Sequence, residues 1–299
     1  MNSKWLALNQ EAQQGRALVA LESTVISHGL PYPDNLATAK GLEQVVREHK
    51  ASPATIALID GQIRVGLDES QLQRLATEKN VAKVSRRDLP VVLARRGLGA
   101  TTVAATMYAA QLAGIKVFGT GGLGGVHRGA TTTFDISADL TELARTPVIV
   151  VCAGAKAILD LPLTLEYLET QGVPVIGYGT DELPAFYTSK SGLKLEARAD
   201  SAAEVAEIAR IKWELGLSGG IVVTVPPPPE ADLPAAEVEK AISRALAAAD
   251  KAGVRGKNVT PFLLDAVRLE TEGRSLETNI ALLKNNVGVA AEIAKALAE

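Results

Sequence analysis

The chain has 299 residues, of which 47% are hydrophobic and 22% charged, and its formal net charge is -3. This length permits one large core or two domains, and the absence of a Lys/Arg block argues against a nucleic-acid-binding surface. The single cysteine, Cys152, excludes an intrachain disulfide and fits a reducing cytoplasm. No apolar run has the length of a signal peptide or of a membrane span, so we expect a cytoplasmic protein.

Apolar, strand-like runs alternate with amphipathic helical runs along most of the chain, which predicts a mostly parallel sheet covered by helices on both faces. Asp60-Gly61 predicts a β-hairpin, because both turn positions require positive φ, so the sheet is not purely parallel. Pro226–Pro229 is either a linker or a rigid loop, and the helical segment after it is expected to pack on the same domain. The predicted strands are Ala17–Ile26, Ala54–Ile59, Gln62–Leu67, Val81–Ser85, Lys116–Gly119, Val148–Cys152, Val173–Tyr178 and Gly220–Val225. The predicted helices are Asn35–Lys50, Glu69–Lys79, Thr101–Ala113, Asp139–Arg145, Leu163–Thr170, Ala202–Gly216, Ala235–Ala252, Pro261–Glu272 and Ser275–Leu297.

Glu22 is a carboxylate among apolar neighbours in the strand-like segment Val19–Val25. A glutamate in such a place is unfavourable unless it is paired, protonated or used in chemistry. Burial would raise its pKa and suit it to general acid/base catalysis. A structural salt bridge explains the residue equally well.

The segment Gly97–Val103 opens the helix predicted at Thr101–Ala113. Free N–H groups and the positive end of the helix dipole make such a start an anion site, and Lys83 on the preceding strand would add positive charge. The alternative is an ordinary threonine N-cap with a solvated lysine.

Gly119–Gly124 matches the G-x-G-x-x-G pattern and follows a predicted strand. The dinucleotide-binding fingerprint also requires a helix that begins inside the motif, but Gly125–Thr133 is poor in helix-forming residues. We therefore expect a glycine-rich loop whose backbone approaches a ligand, with His127 and Arg128 within reach. A plain surface loop is the alternative.

Asp135 and Asp139 lie four residues apart with Ser137 between them. Carboxylates with hydroxyls and water suit Mg²⁺ or Mn²⁺, and so few protein ligands would leave several waters on the ion. Capping of the short predicted helix by Ser137 or Asp139 is the simpler explanation for Asp139. The three histidines are scattered and lack zinc-ligand spacing.

Lys156 follows the β-branched strand Val148–Cys152, whose continuous apolar character indicates burial on both faces. Ligands bind at the carboxyl ends of strands in parallel sheets, and a lysine shielded from water there can act as a nucleophile. The alternative is that the side chain extends to solvent. With the carboxylates and hydroxyls upstream, this lysine indicates carbonyl or sugar chemistry through a covalent adduct.

Seven segments together resemble the pseudouridine-5′-phosphate glycosidases, also called the indigoidine synthase A-like family. The motifs are long and unusual, and they extend from near the N-terminus to the last helix, so the resemblance implies one domain over residues 1–299. The matching segments are Ala20–Pro33, Ser85–Pro90, Gly99–Ala104, Phe118–Arg128, Asp135–Leu140, Cys152–Lys156 and Asn279–Asn286.

The resemblance implies a three-layer α/β/α fold, a homotrimer with one Mn²⁺ per subunit, and reversible cleavage of pseudouridine 5′-phosphate to uracil and ribose 5-phosphate. It implies that Lys156 forms the covalent bond, that Glu22 donates a proton and that Asp135 binds the metal. The expected substrate-binding residues are Lys83, Thr102, Val103, His127, Ser137, Ala138, Asp139 and Asn286, with Asn285 as the alternative to Asn286.

Two other functions use part of the same pattern. A different lysine-dependent carbon–carbon lyase, similar to an aldolase, would need the same lysine and phosphate site. A non-catalytic nucleotide-binding protein would bind the ligand without turnover, which leaves Glu22 and Lys156 unexplained. Within the family, a role in pigment biosynthesis would keep the motifs and change the substrate.

Overall fold

The computed structural model describes residues 4–256 and 259–299. The strands are β1 (Leu6–Leu8), β2 (Leu18–Leu21), β3 (Ser52–Ile59), β4 (Gln62–Val65), β5 (Ala82–Val84), β6 (Gly99–Thr101), β7 (Val117–Gly119), β8 (Val126–His127), β9 (Ile149–Cys152), β10 (Leu159–Asp160), β11 (Val175–Tyr178), β12 (Ala197–Ala199) and β13 (Ile221–Thr224). The α-helices are α1 (Gln10–Gln14), α2 (Asp34–Glu48), α3 (Glu69–Thr77), α4 (Leu89–Ala94), α5 (Val103–Leu112), α6 (Ala130–Thr133), α7 (Ala138–Leu143), α8 (Leu161–Thr170), α9 (Ala202–Glu214), α10 (Ala235–Lys251), α11 (Val259–Glu270) and α12 (Arg274–Ala298).

The central sheet is mixed and mostly parallel, in the order β1-β4-β3-β2-β7-β9-β13-β11-β12. Successive residues of the buried strands point to opposite faces, as the pleat requires. Ile149 and Val151 pack with residues of α2, α9 and α12, whereas Val150 and Cys152 pack with residues of α5, α7 and α8. Helices thus cover both faces, and the predicted three-layer α/β/α fold is confirmed.

The hairpin predicted at Asp60-Gly61 joins β3 to β4 in antiparallel register, with Ile59 opposite Gln62. Both turn residues have positive φ, +53° at Asp60 and +85° at Gly61. The Asp60-Gly61 pair therefore forms the turn as predicted, with positive φ at both turn positions.

The first predicted strand, Ala17–Ile26, is shorter than expected, because β2 ends at Leu21 and a π-helical turn follows at Val25–Gly29. Ser23 accounts for the change of direction. Its hydroxyl donates to the carbonyl oxygen of Ile56 at 2.6 Å and accepts the N–H of Thr101 at 2.9 Å. These side-chain hydrogen bonds take the place of the inter-strand backbone hydrogen bonds that a longer strand would form.

Strand β3 is long enough to pair with different strands along its two halves. Leu21 of β2 lies opposite Thr55, whereas Ala100 of β6 lies opposite Ala57 in the antiparallel sense. The carboxyl ends of β2 and β6 therefore meet beside Ile56. This arrangement brings the segment after β2 and the start of α5 to the same edge of the sheet.

The C-terminal helix α12 packs directly against β7. A Cβ added to Gly119 would lie 3.0 Å from Val287 Cγ2 and 3.2 Å from the Cβ of Ala290, so glycine is needed for this close approach. Across the described ranges, no helix is both long and apolar enough to cross a bilayer.

Candidate active site

A cavity of about 810 Å³ opens where β2, β7 and β9 end side by side. Ligand sites are expected at this edge of a parallel sheet, and a strand-order change lies here because β2 stands between β3 and β7. Every predicted site residue except Asn286 lines the cavity. Those that do are Glu22, Lys83, Thr102, Val103, His127, Asp135, Ser137, Ala138, Asp139 and Lys156.

Glu22 follows the last residue of β2, and its partly buried side chain lines the cavity. The hydroxyl of Thr120, which follows β7, donates to Glu22 Oε1 at 2.5 Å. Burial raises the pKa of the Glu22 carboxyl, while the positive charge of Lys156 and the Thr120 hydrogen bond oppose that rise. A carboxyl with a raised pKa beside a lysine is suited to donate a proton.

Thr102 occupies the N-cap position of α5, but its side chain makes no capping hydrogen bond. Its hydroxyl oxygen is buried and has no hydrogen-bond partner among the described residues. An ordinary N-cap would satisfy that oxygen locally. An unsatisfied hydroxyl at a helix start, in a cavity that Lys83 also lines, favours an anion site over a simple cap.

Asp139 connects two walls of the cavity through its carboxylate. Oδ1 accepts the N–H of Ala104 in the first turn of α5 at 2.9 Å, and Oδ2 accepts the N–H of Gly124 at 2.8 Å. The cap of α7 is instead Ser137, whose hydroxyl accepts the N–H of Asp139. Asp139 therefore braces the glycine-rich loop against the start of α5, and glycine is required at 124 because a Cβ there would lie 2.2 Å from Ser137 Oγ.

Asp135 is half-exposed and lies beside His127, with 4.0 Å between Asp135 Oδ2 and His127 Nδ1. Burial lowers the pKa of His127, and the neighbouring Asp135 opposes that shift. The described residues contain no group of three or more His, Cys, Asp or Glu side chains placed to hold a metal. One open carboxylate fits a divalent ion that keeps most of its water, as Mg²⁺ and Mn²⁺ sites commonly do.

Lys156 is held by backbone contacts between its own loop and the glycine-rich loop. The N–H of Lys156 donates to the carbonyl oxygen of Leu123 at 3.0 Å, and Leu159 pairs with His127 in the short β10–β8 ladder. The guanidinium of Arg128 also donates to the carbonyl oxygens of Ala157 and Leu159. The loops that carry His127 and Lys156 are thereby joined.

The Asn279–Asn286 motif contributes differently from the sequence prediction. Asn279 lines the cavity, whereas the fully buried Asn286 donates to the carbonyl oxygens of Thr120 and Gly121 at 2.9 and 3.3 Å. Asn285 points elsewhere, toward the carbonyl of Pro226. Helical spacing was the available signal, because residues 279, 283 and 286 share one face of α12.

Sequence reasoning also missed the apolar end of the cavity. Phe186 lines it with a φ of +65°, a conformation that is rare for a bulky residue and recurs at functional sites. The ring packs on Gly122, where a Cβ would lie 2.6 Å from Phe186 Cδ2. Leu264 of α11 and Leu283 of α12 also line the cavity, and these apolar side chains suit the face of a flat ring better than a sugar phosphate.

Comparisons with known proteins identify the family that this chain resembles. Residues 7–296 match the family described as indigoidine synthase A like protein. A pseudouridine-5′-phosphate glycosidase of Caldanaerobacter subterraneus subsp. tengcongensis is 58% identical over 296 residues, covering 98% of this chain and 96% of the relative. The crystal structure of prealnumycin C-glycosynthase AlnA in complex with ribulose 5-phosphate has a TM-score of 0.91 at 40% identity, covering 99% and 98% of the two chains. An indigoidine synthase A-like protein from Thermotoga maritima gives 0.91 at 35% identity, with 98% and 97% covered.

Proposed function

The chain belongs to the indigoidine synthase A-like family, and we propose that it reversibly cleaves the carbon–carbon glycosidic bond of pseudouridine 5′-phosphate to uracil and ribose 5-phosphate. Relatives more than half identical over nearly the whole chain carry the name of this activity. The observation that carries the proposal is the meeting of Lys156, Glu22 and the start of α5 in one cavity. That set supplies a nucleophile, an acid and a phosphate site.

The substrate explains why a lysine is needed. Pseudouridine joins C1′ of ribose to C5 of uracil, and a carbanion at C5 is a poor leaving group. We propose that Glu22 protonates the ribose ring oxygen as the bond between that oxygen and C1′ breaks. The uracil ring donates electrons to C1′ and so delocalises the positive charge that develops there. The amine of Lys156 then forms a bond to C1′ of the opened sugar.

Departure of the base follows from that adduct. The nitrogen of Lys156 loses a proton once it is bonded to C1′, and C5 of uracil gains one. The C1′–C5 bond then breaks with its electrons going to uracil, and the lone pair of the Lys156 nitrogen forms the imine. Water hydrolyses the imine to ribose 5-phosphate and regenerates the lysine. The reverse reaction uses the same groups in opposite order.

The phosphate would bind at the start of α5, with Lys83 supplying charge and the Thr102 hydroxyl supplying a hydrogen bond. Ring opening produces a flexible sugar, and anchoring its far end keeps C1′ near the amine. Binding energy at a non-reacting group can assist the chemical step in this way. His127, Val103 and the Ser137-Ala138-Asp139 segment would surround the sugar, and the Phe186 wall would face uracil.

Asp135 would hold one Mn²⁺ per subunit, largely hydrated, as its open carboxylate allows. Such an ion supplies charge that orients water and substrate oxygens without redox chemistry. From the resemblance alone we also propose a cytoplasmic homotrimer; sedimentation of the purified protein tests the assembly, and a monomeric mass would contradict it.

Free uracil is the decisive product. The protein should release uracil from pseudouridine 5′-phosphate in the presence of Mn²⁺, and chromatography would detect it. In the reverse direction, the protein should form pseudouridine 5′-phosphate from uracil and ribose 5-phosphate. Uridine 5′-phosphate, with its carbon–nitrogen bond, is the matched control. Cleavage of another sugar phosphate without uracil release would favour the aldolase-like lyase, and tight binding without turnover would favour a non-catalytic protein.

A further inference from the structure

Thr120 is a buried side chain in contact with Glu22, and neither the sequence prediction nor the proposed chemistry uses it. It is 1% exposed and follows the last residue of β7. Its hydroxyl donates to Glu22 Oε1 at 2.5 Å, across a separation of 98 residues in the chain. Parallel pairing of β2 with β7, with Leu21 opposite Gly119, brings the two residues together.

The backbone of Thr120 is fixed independently of this bond. Its N–H donates to the carbonyl oxygen of Val151 at 2.9 Å, and its own carbonyl accepts the side-chain amide of Asn286 at 2.9 Å. A β-branched side chain also has few rotamers. The backbone from which the hydroxyl projects is thus held by the sheet and by α12, independently of Glu22.

We propose that Thr120 is a positioning residue that orients Glu22 for proton transfer, which rests on the function proposed for Glu22 above. A hydroxyl that donates to Oε1 makes that oxygen the acceptor in both protonation states. The transferable proton is therefore carried by Oε2. Asn286 acts behind Thr120 by holding its carbonyl, so the buried amide supports the acid without lining the cavity.

The same hydrogen bond keeps the acid usable. Burial disfavours the carboxylate of Glu22, and Asp139 on α7 adds to this, whereas Lys156 after β9 and Lys83 on β5 favour the ionised form. A hydrogen bond to a charged group counts for roughly one to two pKa units. Without Thr120, Glu22 would hold its proton more tightly and present it in no fixed direction.

Paired substitutions test the role of the hydroxyl. Thr120→Val keeps the shape and removes the donor, whereas Thr120→Ser keeps the donor. We expect Thr120→Val to lower kcat by at least about tenfold with KM within about twofold, because general acid catalysis contributes roughly 10²–10⁴-fold. Carboxyl-carbon NMR can follow the titration of Glu22, with the signal assigned by means of Glu22→Gln. In Thr120→Val the midpoint of this titration should rise by about one to two pH units. Thr120→Ser should restore both values.

Thr55→Val is the matched control. The Thr55 hydroxyl donates to Glu43 Oε1 at 2.7 Å, and Glu43 is a second buried glutamate whose pKa is raised by burial. This variant should lose stability as Thr120→Val does, but keep kcat and the Glu22 midpoint.

Wild-type kcat together with an unchanged Glu22 midpoint in Thr120→Val would overturn the proposal, and so would failure of Thr120→Ser to rescue. If the wild-type protein releases no uracil, the proposed function fails. The NMR midpoint then still decides whether Thr120 controls the protonation of Glu22.

Discussion

Arg128 binds both carboxylate oxygens of Glu239 on α10, at 2.6 and 2.8 Å. The same guanidinium donates to the carbonyl oxygens of Ala157 and Leu159, one and three residues after Lys156. One planar side chain therefore connects α10, the glycine-rich loop and the loop that carries Lys156. The fork geometry of arginine makes this possible, and lysine lacks it.

Arg128→Lys should therefore slow the reaction while retaining the positive charge. We expect kcat to fall by about tenfold, the equivalent of about 1.4 kcal/mol at the transition state, because the amine of Lys156 is less well placed. Single-turnover kinetics of imine formation would measure this. Arg274→Lys, which alters the ion pair with Glu237 on the same helix α10, should leave the rate unchanged. Equal losses in the two variants would argue against a specific role for Arg128.

Lys156 should carry the sugar as a trapped adduct. Borohydride added with ribose 5-phosphate should increase the mass of the peptide that contains Lys156 by the reduced sugar phosphate. Lys156→Ala should abolish turnover and labelling while leaving the circular dichroism spectrum unchanged. Labelling at another lysine, or none in an active protein, would disprove the imine.

Thr102→Val should weaken phosphate binding without loss of stability. The buried hydroxyl has no partner among the described residues, so removing it relieves an unsatisfied polar group in the free protein. A lost hydrogen bond to phosphate corresponds to a roughly tenfold or larger rise in KM, since such bonds count for about 1.5–3 kcal/mol. The comparison is with pseudouridine lacking the phosphate, whose turnover should not change. An equal effect on both substrates would place the phosphate elsewhere.

Glu22→Gln should stabilise the protein at neutral pH and not in acid. Burial raises the pKa of Glu22 in the folded state above its ordinary value of 4.5. The folded state then holds the proton more tightly than the unfolded state, so the free energy of unfolding falls as pH rises through the folded pKa. Glutamine removes this loss, and the Tm difference from wild type should grow from acid to neutral pH in calorimetry.

Glu237→Gln provides a control of opposite sign for that experiment. The hydrogen bond from Arg274 lowers the pKa of Glu237, so its contribution to stability is present above the unfolded pKa and lost in acid. This variant should be less stable than wild type at neutral pH. A Tm difference for Glu22→Gln that did not vary with pH would contradict the raised pKa.

Asp135→Asn should reduce metal binding as well as activity. Free Mn²⁺ measured by electron paramagnetic resonance should show weaker binding, because an amide supplies no charge to the ion. Chelator should lower the activity of the wild-type protein, and added Mn²⁺ should restore it. Unchanged binding in Asp135→Asn, or full activity after verified metal removal, would refute the site.

Pattern alone located most of the elements. The Asp60-Gly61 turn, the buried strand before Lys156 and the amphipathic C-terminal helices depend on local properties, namely φ preference and hydrophobic period. The end of β2 was misjudged because Ser23 bonds to Ile56 and Thr101, which are distant in sequence. A prediction from the residues near Ser23 in the sequence cannot include these two partners.

The sequence by itself determined which chemistry is available: a lysine after a buried strand, a carboxyl among apolar residues, and a helix start of the kind that binds anions. Only the tertiary structure decided where each of these side chains lies and what it contacts. In the folded protein, Asp139 accepts hydrogen bonds from two separate backbone segments, and Asn286 bonds to the carbonyl of Thr120 outside the cavity. Asn279 and Phe186 line the cavity. These assignments depend on strand order and on the packing of α12 across the sheet. They arise from contacts between residues far apart in the chain, which local pattern does not encode.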